Sequence, residues 1–223
     1  MRFWGMVVFG VLGTAILLSL GIWQLQRLAW KQEVLRAIES KILAPAVKIP
    51  QTVLPDAHSL LPVRAEGRYK GDTVRVLVSQ KIYGAGYRLI TAFELVDGRT
   101  IMLDRGFTSV RSEIPSTPEG RGQVIGNLQW PQEIDSFTPE NDLAANIWFA
   151  RDVARLAEHL KAEPVLLVLR DSSFETEAAT PLPKMTANIP NDHMNYAITW
   201  FSLALIWLGM SGYFLYRSRD PQS

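Results

Sequence analysis

The sequence predicts a membrane protein in which two transmembrane α-helices flank a β-rich α+β extramembrane domain with an antiparallel sheet. Residues 3–23 and residues 196–216 contain no charged side chain. At about 1.5 Å per residue, each run is about 30 Å long, which matches the hydrocarbon core of a bilayer. Between the two runs, short segments rich in β-branched and aromatic residues alternate with turn residues, which is typical of strands in a sheet.

The first apolar run is expected to stay in the protein as an anchor. It is longer than the roughly 7–15 residues of a signal-peptide core, and its end at Leu20–Gln24 offers no A-x-A-like cleavage site. No Arg- and Ser-rich mitochondrial presequence precedes it. We therefore expect an uncleaved span in a bacterial inner membrane.

The basic residues at the two ends of the chain predict its orientation. Arg2 precedes the first run, and Arg217 and Arg219 follow the second, and Lys or Arg near the end of a span favours the cytoplasm. Basic residues just after the first run oppose this orientation, but two spans place both termini on one side, and a long domain translocates largely regardless of its charge. The predicted organisation is a cytoplasmic tail at 1–2, a first span at 3–23, a periplasmic domain at 24–195, a second span at 196–216 and a cytoplasmic tail at 217–223.

The periplasmic domain is predicted to begin as a continuation of the first helix. Leucine and isoleucine recur at helical spacings from Leu25 to Ile42. We expect this helical extension over residues 24–44, because Pro45 cannot continue a helix. The prolines that follow as far as Pro62 indicate an extended loop.

Six short segments are then predicted as strands. They are residues 63–69, 74–80, 87–95, 100–107, 124–130 and 164–169. Asp97-Gly98 between two apolar segments is the strongest hairpin signal in the chain. An amphipathic helix is expected over residues 149–161, where apolar residues share one face.

The composition excludes several classes of function. A net charge of +1 provides no basic surface for a nucleic acid. The chain has no cysteine, so it has no disulfide, no thiolate metal site and no thiol chemistry. It contains neither G-x-S-x-G nor H-E-x-x-H nor a phosphate-binding glycine loop, and its three histidines are scattered. We therefore expect neither an enzyme nor a nucleic-acid partner.

The first segment of functional interest is residues 21–31, where the chain leaves the membrane. Trp23 and Trp30 lie near the end of the span together with cations, which is typical of an aromatic and cationic anchor at a membrane surface. Arg27 and Lys31 are about one helical turn apart, so the alternative is an anion site at that surface. The residues alone leave both interpretations open.

The second segment is residues 191–200, where the chain re-enters the membrane. If a helix begins near residue 191, His193 shares one face with Trp200 and with either Tyr196 or Ala197. A histidine in this place can hydrogen-bond to lipid headgroups or to a neighbouring backbone. The alternative is that its neutral imidazole is an axial ligand of a haem iron.

The haem interpretation depends on where the two segments meet. Both lie at the outer interface of the membrane, so Arg27 and His193 are expected at similar depth. Arg27 and Lys31 then provide cations for haem propionates, beside the aromatic surface of Tyr196 and Trp200. The candidate cofactor site therefore comprises His193, Arg27, Lys31, Tyr196 and Trp200, with His193 as the metal ligand.

The third segment, residues 137–152, is interpreted as structural. Asp152 can cap the following helix or lie in its first turn, where its charge opposes the helix dipole. Arg151 beside Asp152 is a candidate recognition pair, but a local structural role is favoured.

These segments together resemble the Surfeit locus protein 1 family of cytochrome c oxidase assembly factors. The resemblance covers nearly the whole chain and depends on the order and spacing of its motifs. They are G-x-W-Q-x-x-R-L-x-W-K at residues 21–31, Gly86-Tyr87 with Leu89-Ile90-Thr91 and Phe93, Asp97-Gly98 ahead of Arg105-Gly106, residues 141–152, and Asn191-x-His193 through Tyr196-Ala197-x-Thr199-Trp200.

The resemblance implies a membrane-bound assembly factor that aids the insertion of haem a into the catalytic subunit of the oxidase. It implies that the histidine at the start of the second span, His193, is the haem ligand. The expected partners are subunit I of cytochrome c oxidase, a haem a synthase and the membrane lipid.

A cofactor-free scaffold is the alternative function. In this case the domain and the spans stabilise a nascent oxidase subunit without binding haem. Small residues permit close helix packing within the hairpin or against a client. They are Gly5, Gly10, Gly13, Gly209 and Gly212.

Overall fold

The computed structural model describes residues 2–175, 178–183 and 191–218. The chain forms two compact units. One unit combines the two ends of the chain, Met1–Glu39 and Thr186–Ser223, and the other is Ser40–Met185.

The first unit contains two long helices, α1 (Arg2–Ile42) and α4 (His193–Arg217). Helix α1 continues through residues 24–42, which confirms the predicted extension of the first apolar run. Both helices are long and apolar enough to cross a membrane, and most of their large apolar side chains are exposed, including Trp4 (71%) and Leu205 (72%). A helix in the core of a soluble protein buries such side chains. The exposure is therefore compatible with membrane anchoring.

Helices α1 and α4 pack in antiparallel orientation along a seam with a seven-residue repeat. One stripe of less exposed residues on α1 follows alternating spacings of four and three, and so does one stripe on α4. The α1 stripe is Phe3, Val7, Gly10, Thr14, Leu17, Gly21 and Gln24, and the α4 stripe is His193, Ala197, Trp200, Ala204, Trp207 and Ser211. This spacing keeps one stripe of each helix facing its partner, as in a left-handed coiled coil.

Side-chain contacts fix the register of this seam. The indole N–H of Trp207 donates to the carbonyl oxygen of Gly10 at 3.1 Å. A Cβ atom on Gly13 would come within 2.3 Å of the Trp207 ring, so the indole occupies the space that glycine leaves. The predicted small-residue packing is thus confirmed within the hairpin for Gly10 and Gly13. Gly5, Gly209 and Gly212 have no atom within 4 Å of the corresponding position.

The second unit is a closed barrel with one covering helix. Its elements are β1 (Val47–Lys48), α2 (Pro55–His58), β2 (Pro62–Gln80), β3 (Gly84–Leu95), β4 (Thr100–Ser109), β5 (Gly122–Gln129), β6 (Ile147–Trp148), α3 (Val153–Leu160) and β7 (Leu166–Ser172). The predicted hairpin at Asp97-Gly98 joins β3 to β4, and Gly98 adopts the left-handed backbone (φ 86°) that such a turn requires. The short β1, β6 and α2 lie in segments that were predicted as loop or left unassigned.

The prediction of a purely antiparallel sheet was wrong, because the sheet is mixed and closed. The strand order is β2-β3-β4-β7-β5, and β5 pairs again with β2. Strand directions cannot alternate all the way around a ring of five, so at least one neighbouring pair must be parallel. The parallel pair is β4 and β7, because β5 and α3 lie between these two strands in the chain. The short β1 and β6 also pair with β2 in parallel.

Strand β2 is a single strand where two were predicted. The segment between the two predicted strands, Lys70-Gly71-Asp72, is a bulge in the pairing with β3. Before the bulge, β2 pairs with β5 as far as Gly67, and from Gly67 onward it pairs with β3. Gly67 therefore lies where the barrel closes, and a Cβ atom there would be 2.2 Å from the carbonyl oxygen of Glu94.

The two faces of the sheet bury separate apolar clusters. The barrel interior is filled by side chains from all five strands, which are Val63, Ala65, Phe93, Leu95, Ile101, Leu103, Val124, Leu128, Leu167 and Leu169. On the outer face, Met102 and Leu166 pack with Leu156 of α3. Fully burying one such side chain stabilises a fold by about 1.5–3 kcal/mol, so both faces contribute to stability.

We predict that Gly67→Ala lowers the free energy of unfolding of the barrel by about 1–3 kcal/mol, because the added methyl group forces β2 and β3 apart where the ring closes. Denaturant unfolding of the full chain in detergent, followed by near-ultraviolet circular dichroism, measures the change. The matched control is Gly71→Asn in the bulge of the same strand. Gly71 has open space around it and a φ of 72°, which asparagine tolerates. Equal midpoints for the wild type and Gly67→Ala would contradict the prediction.

Candidate functional site

His193 is the first residue of α4 and is half-buried. Asp192 precedes it at the N-cap, where its side chain makes no capping hydrogen bond. The backbone carbonyl of Asp192 accepts from the N–H of Tyr196 at 3.1 Å, so the helical hydrogen bonding begins here. The imidazole is therefore fixed to the end of a long helix rather than to a loop.

The structure brings His193 into contact with Gln24 of α1. The His193 Nδ1 atom lies 2.8 Å from the Gln24 Oε1 atom. Gln24 is only 9% exposed, although it lies just after the apolar run of α1. This hydrogen bond brings the residue just after the first apolar run next to the first residue of α4.

Gln24 is a site residue that the sequence analysis missed. It was part of the quoted G-x-W-Q motif, but its role was not assigned. The available signal was the seven-residue repeat, since Gln24 is spaced by seven from Leu17 and by three from Gly21. A polar residue at such a position faces the partner helix, where it needs a hydrogen-bonding partner.

Arg27 and Lys31 lie beyond Gln24 along α1. With about 1.5 Å per residue, they are about 4.5 Å and about 10 Å further along the helix axis. The Arg27 guanidinium stacks on the Trp30 ring with 4.0 Å between its Cζ atom and the ring centroid. Arg27 is exposed and Lys31 is half-buried. Cation–π stacking on Trp30 orders the exposed Arg27 side chain.

Tyr196 and Trp200 are one turn apart on α4 and differ in how far they are covered by α1. Trp200 is a seam residue seven positions after His193, and Ala197 (1% exposed) is the seam residue between them. Of the two alternatives in the predicted face, Ala197 therefore packs with α1. Tyr196 is 57% exposed. The structure thus joins His193 to Gln24 directly and places Trp200 on the same stripe, whereas Tyr196 lies beside that stripe.

The segment around Arg151 and Asp152 has the structural role that the sequence favoured. The Asp152 side chain accepts hydrogen bonds from the backbone N–H groups of Ala154 and Arg155 at 3.1 and 3.2 Å, which caps α3. The Arg151 guanidinium binds Glu133 and lies 3.5 Å from Asp104. Neither side chain is directed to a separate ligand by these contacts.

Asp104 is the centre of a buried ion network in the barrel. It is fully buried and accepts from the Nε of Arg88 at 2.7 Å. Arg88 also donates to the carbonyl oxygen of Leu182 at 2.9 Å. The members of this network are far apart in the sequence, so no local motif could have identified it. Such a network holds the outer segments of the domain to β4, because an unpaired buried carboxylate is costly.

The other two histidines have structural contacts. His58 accepts at Nδ1 from the N–H of Leu54 at 2.9 Å. The His159 ring packs edge-on against Trp148, with 5.4 Å between the ring centroids. Among the described residues, no three His, Asp or Glu side chains form a group that could hold a metal ion.

We predict that stability below pH 4.5 depends on Glu133. Burial raises the pKa of Glu133, but the hydrogen bonds and the charge of Arg151 outweigh it and hold this pKa below its ordinary value of 4.5. When folding lowers the pKa of a carboxyl group, that group contributes its full stabilisation at pH values above its pKa in the unfolded chain. This stabilisation is lost as the pH falls through the lowered pKa of the folded state.

The test compares the free energy of unfolding of the wild type and Glu133→Gln between pH 7 and pH 3. The wild type should be the more stable at pH 7, and the difference should shrink as the pH falls below about 4.5. Glu140→Gln is the control, because the Glu140 side chain is 94% exposed and lies 3.9 Å from Arg155. A difference between wild type and Glu133→Gln that is constant with pH would contradict this role.

The fold and the site define a class of protein with one closed five-stranded barrel, two long apolar helices and a candidate site centred on a single imidazole. Comparison with known proteins identifies the family. The chain matches the SURF1 family over residues 11–205 and belongs to it.

The relatives extend from bacteria to animals. A SURF1-like protein of Rickettsia prowazekii is 29% identical over 94% of this chain and 88% of its own length. A SURF1-like protein of Rickettsia felis is 28% identical over 85% of this chain and 88% of its own length. The human Surfeit locus protein 1 is 29% identical over 83% of this chain and 69% of its own length. The resemblance found in the sequence motifs is thereby confirmed.

Proposed function

We propose that both apolar helices cross the inner membrane of a bacterium, with both tails in the cytoplasm and residues 24–195 in the periplasm. The exposed apolar surface of α1 and α4 supports this placement, since lipid is the solvent in which that surface is stable. The basic residues Arg2, Arg217 and Arg219 support the orientation of the tails.

We further propose that the protein is an assembly factor for haem–copper (cytochrome c) oxidase. In this function it binds haem a at the outer membrane interface and passes it to subunit I, with a haem a synthase as the donor. Membership of the SURF1 family supports the assembly function. The observation that carries the haem proposal is the imidazole of His193, whose Nδ1 is hydrogen-bonded to Gln24 while its Nε2 has no hydrogen-bonding partner among the described residues.

The residues around His193 fit a haem by their chemistry. A neutral imidazole with one nitrogen that makes no hydrogen bond to the described residues would be able to hold a haem iron. Tyr196 and Trp200 provide aromatic surface, and Arg27 and Lys31 provide cations for propionates. When bound, the haem supplies an iron that accepts the imidazole nitrogen.

This arrangement supports transfer rather than tight retention. His193 would be a single protein ligand at the first residue of α4, and a ligand from a second protein could replace it. The Arg27 guanidinium is exposed, so its contacts with a propionate exchange readily with water. Reversible binding of this kind is what a carrier of haem requires.

The alternative function is a scaffold that binds no cofactor. The observation that favours it is the open space around Gly5, Gly209 and Gly212, since these glycines leave room on the hairpin for a helix of a client. Replacing Gly209 and Gly212 with leucine separates the alternatives. We expect oxidase assembly to fall in this variant if the hairpin packs on a client, and haem binding to stay unchanged.

We predict that the full chain, purified after co-expression with haem a synthesis, carries haem with a Soret band typical of histidine ligation. In His193→Ala this band should fall to the level of non-specific binding, because the iron loses its protein ligand. His159→Ala is the matched control, because its ring packs in the barrel unit against Trp148. Protein that contains no haem but fully restores oxidase assembly would favour the scaffold instead.

We predict that reporters fused to residue 1 and residue 223 are both located in the cytoplasm. A reporter that is active only outside the cytoplasm should be active when inserted after Gly120, in the segment between β4 and β5. Protease protection of sealed vesicles provides an independent measurement. Reporters located in different compartments, or release of the intact protein by a salt wash, would contradict the two-span topology and with it the haem site.

A further inference from the structure

We propose that Gln24 is a positioning residue that sets the tautomer of His193 and so directs its Nε2 lone pair to the haem iron. This inference rests on the proposed function, because it concerns the nitrogen that binds the metal. Gln24 itself does not contact the metal in this proposal. Its effect is transmitted through one hydrogen bond to the ring.

The first step concerns the proton on the ring. The amide oxygen of Gln24 lies 2.8 Å from the Nδ1 of His193. An amide oxygen only accepts hydrogen bonds, so Nδ1 must be the donor and must carry the proton. In a neutral imidazole the other nitrogen, Nε2, then has the lone pair. Metal-binding histidines commonly donate their second ring N–H in this way, which fixes both the tautomer and the ring orientation.

The second step concerns the position of Gln24 in the helix pair. The other α1 residues of the seam, from Phe3 to Gly21, are apolar, small or Thr14, whose hydroxyl bonds to Gly10 of its own helix. Gln24 is 91% buried, and burying an amide has a cost that an apolar side chain of the same length avoids. Packing between the helices therefore does not explain a glutamine at this position, whereas the hydrogen bond to His193 explains it.

The third step concerns how strongly the His193 imidazole binds the metal. A carboxylate that accepts from the ring N–H makes the imidazole a strong electron donor, whereas a neutral amide does so only moderately. Glutamine thus orders the ring without giving it imidazolate character. A moderate donor suits a protein that must release its haem.

The test uses the full chain in detergent with Gln24→Met, Gln24→Glu and the control Gln26→Met. Methionine has the length of glutamine but no strong acceptor, and Gln26 lies two residues away on the exposed surface of α1. Three quantities are measured. They are the ¹⁵N chemical shifts of the His193 ring without haem, the affinity for haem a, and the Fe–His stretching frequency of the reduced complex.

We expect the wild type to show the Nδ1-protonated tautomer, and Gln24→Met to show a mixture with a haem affinity reduced by about 10- to 100-fold. In Gln24→Glu the Fe–His frequency should rise and the affinity should be at least that of the wild type. Gln26→Met should match the wild type. Thermal stability of Gln24→Met should be unchanged or higher, which a purely structural role of Gln24 does not predict.

The failure of this inference can be told from the failure of the proposed function. An Nε2-protonated ring in the wild type, or unchanged tautomer, affinity and Fe–His frequency in Gln24→Met, would overturn the role of Gln24 while leaving His193 as the ligand. Wild-type protein that binds no haem would overturn the proposed function itself. In that case the role of Gln24 at the metal is overturned with it.

Discussion

The antiparallel seam between α1 and α4 is the constraint on which the candidate site depends. Gly10 and Gly13 leave space for the Trp207 ring, and the indole N–H of Trp207 bonds to the Gly10 carbonyl. With this register, Gln24 lies opposite His193. A slip of the helices by one turn would move the imidazole about 5.4 Å along α1 and break the hydrogen bond. The small residues deep in the apolar run therefore determine the chemistry at its end.

The chemistry of the site and the stability of the barrel rely on different residues. A network of ion pairs includes the buried Asp104, and it connects strands and outer segments of the barrel. The candidate site has one imidazole, one amide, the exposed Arg27 and the half-buried Lys31 instead. This division would suit the proposed haem carrier, because the barrel would keep its contacts while the candidate site exchanged its ligand.

Local features of the sequence predicted much of this structure. The two long helices, the turn at Asp97-Gly98 and the cap at Asp152 follow from hydropathy, turn preference and capping, which act over a few residues. The parallel pairing of β4 and β7 did not follow, because closure of the ring depends on contacts between distant strands. The hydrogen bond between Gln24 and His193 was also missed, since these residues are 169 positions apart in the chain and meet only through the register of the two helices.

The position of β7 within the ring has a consequence for biosynthesis. β7 lies between β4 and β5, so the barrel stays open until residues 166–172 have been synthesised. Helix α4 begins soon afterwards, at His193. Before β7 has been synthesised, β4 and β5 expose unpaired backbone groups to the surroundings. Closure of the barrel and synthesis of the second apolar helix are thus close together in time. A chain truncated before residue 166 lacks β7, and we expect quality-control proteases to degrade it.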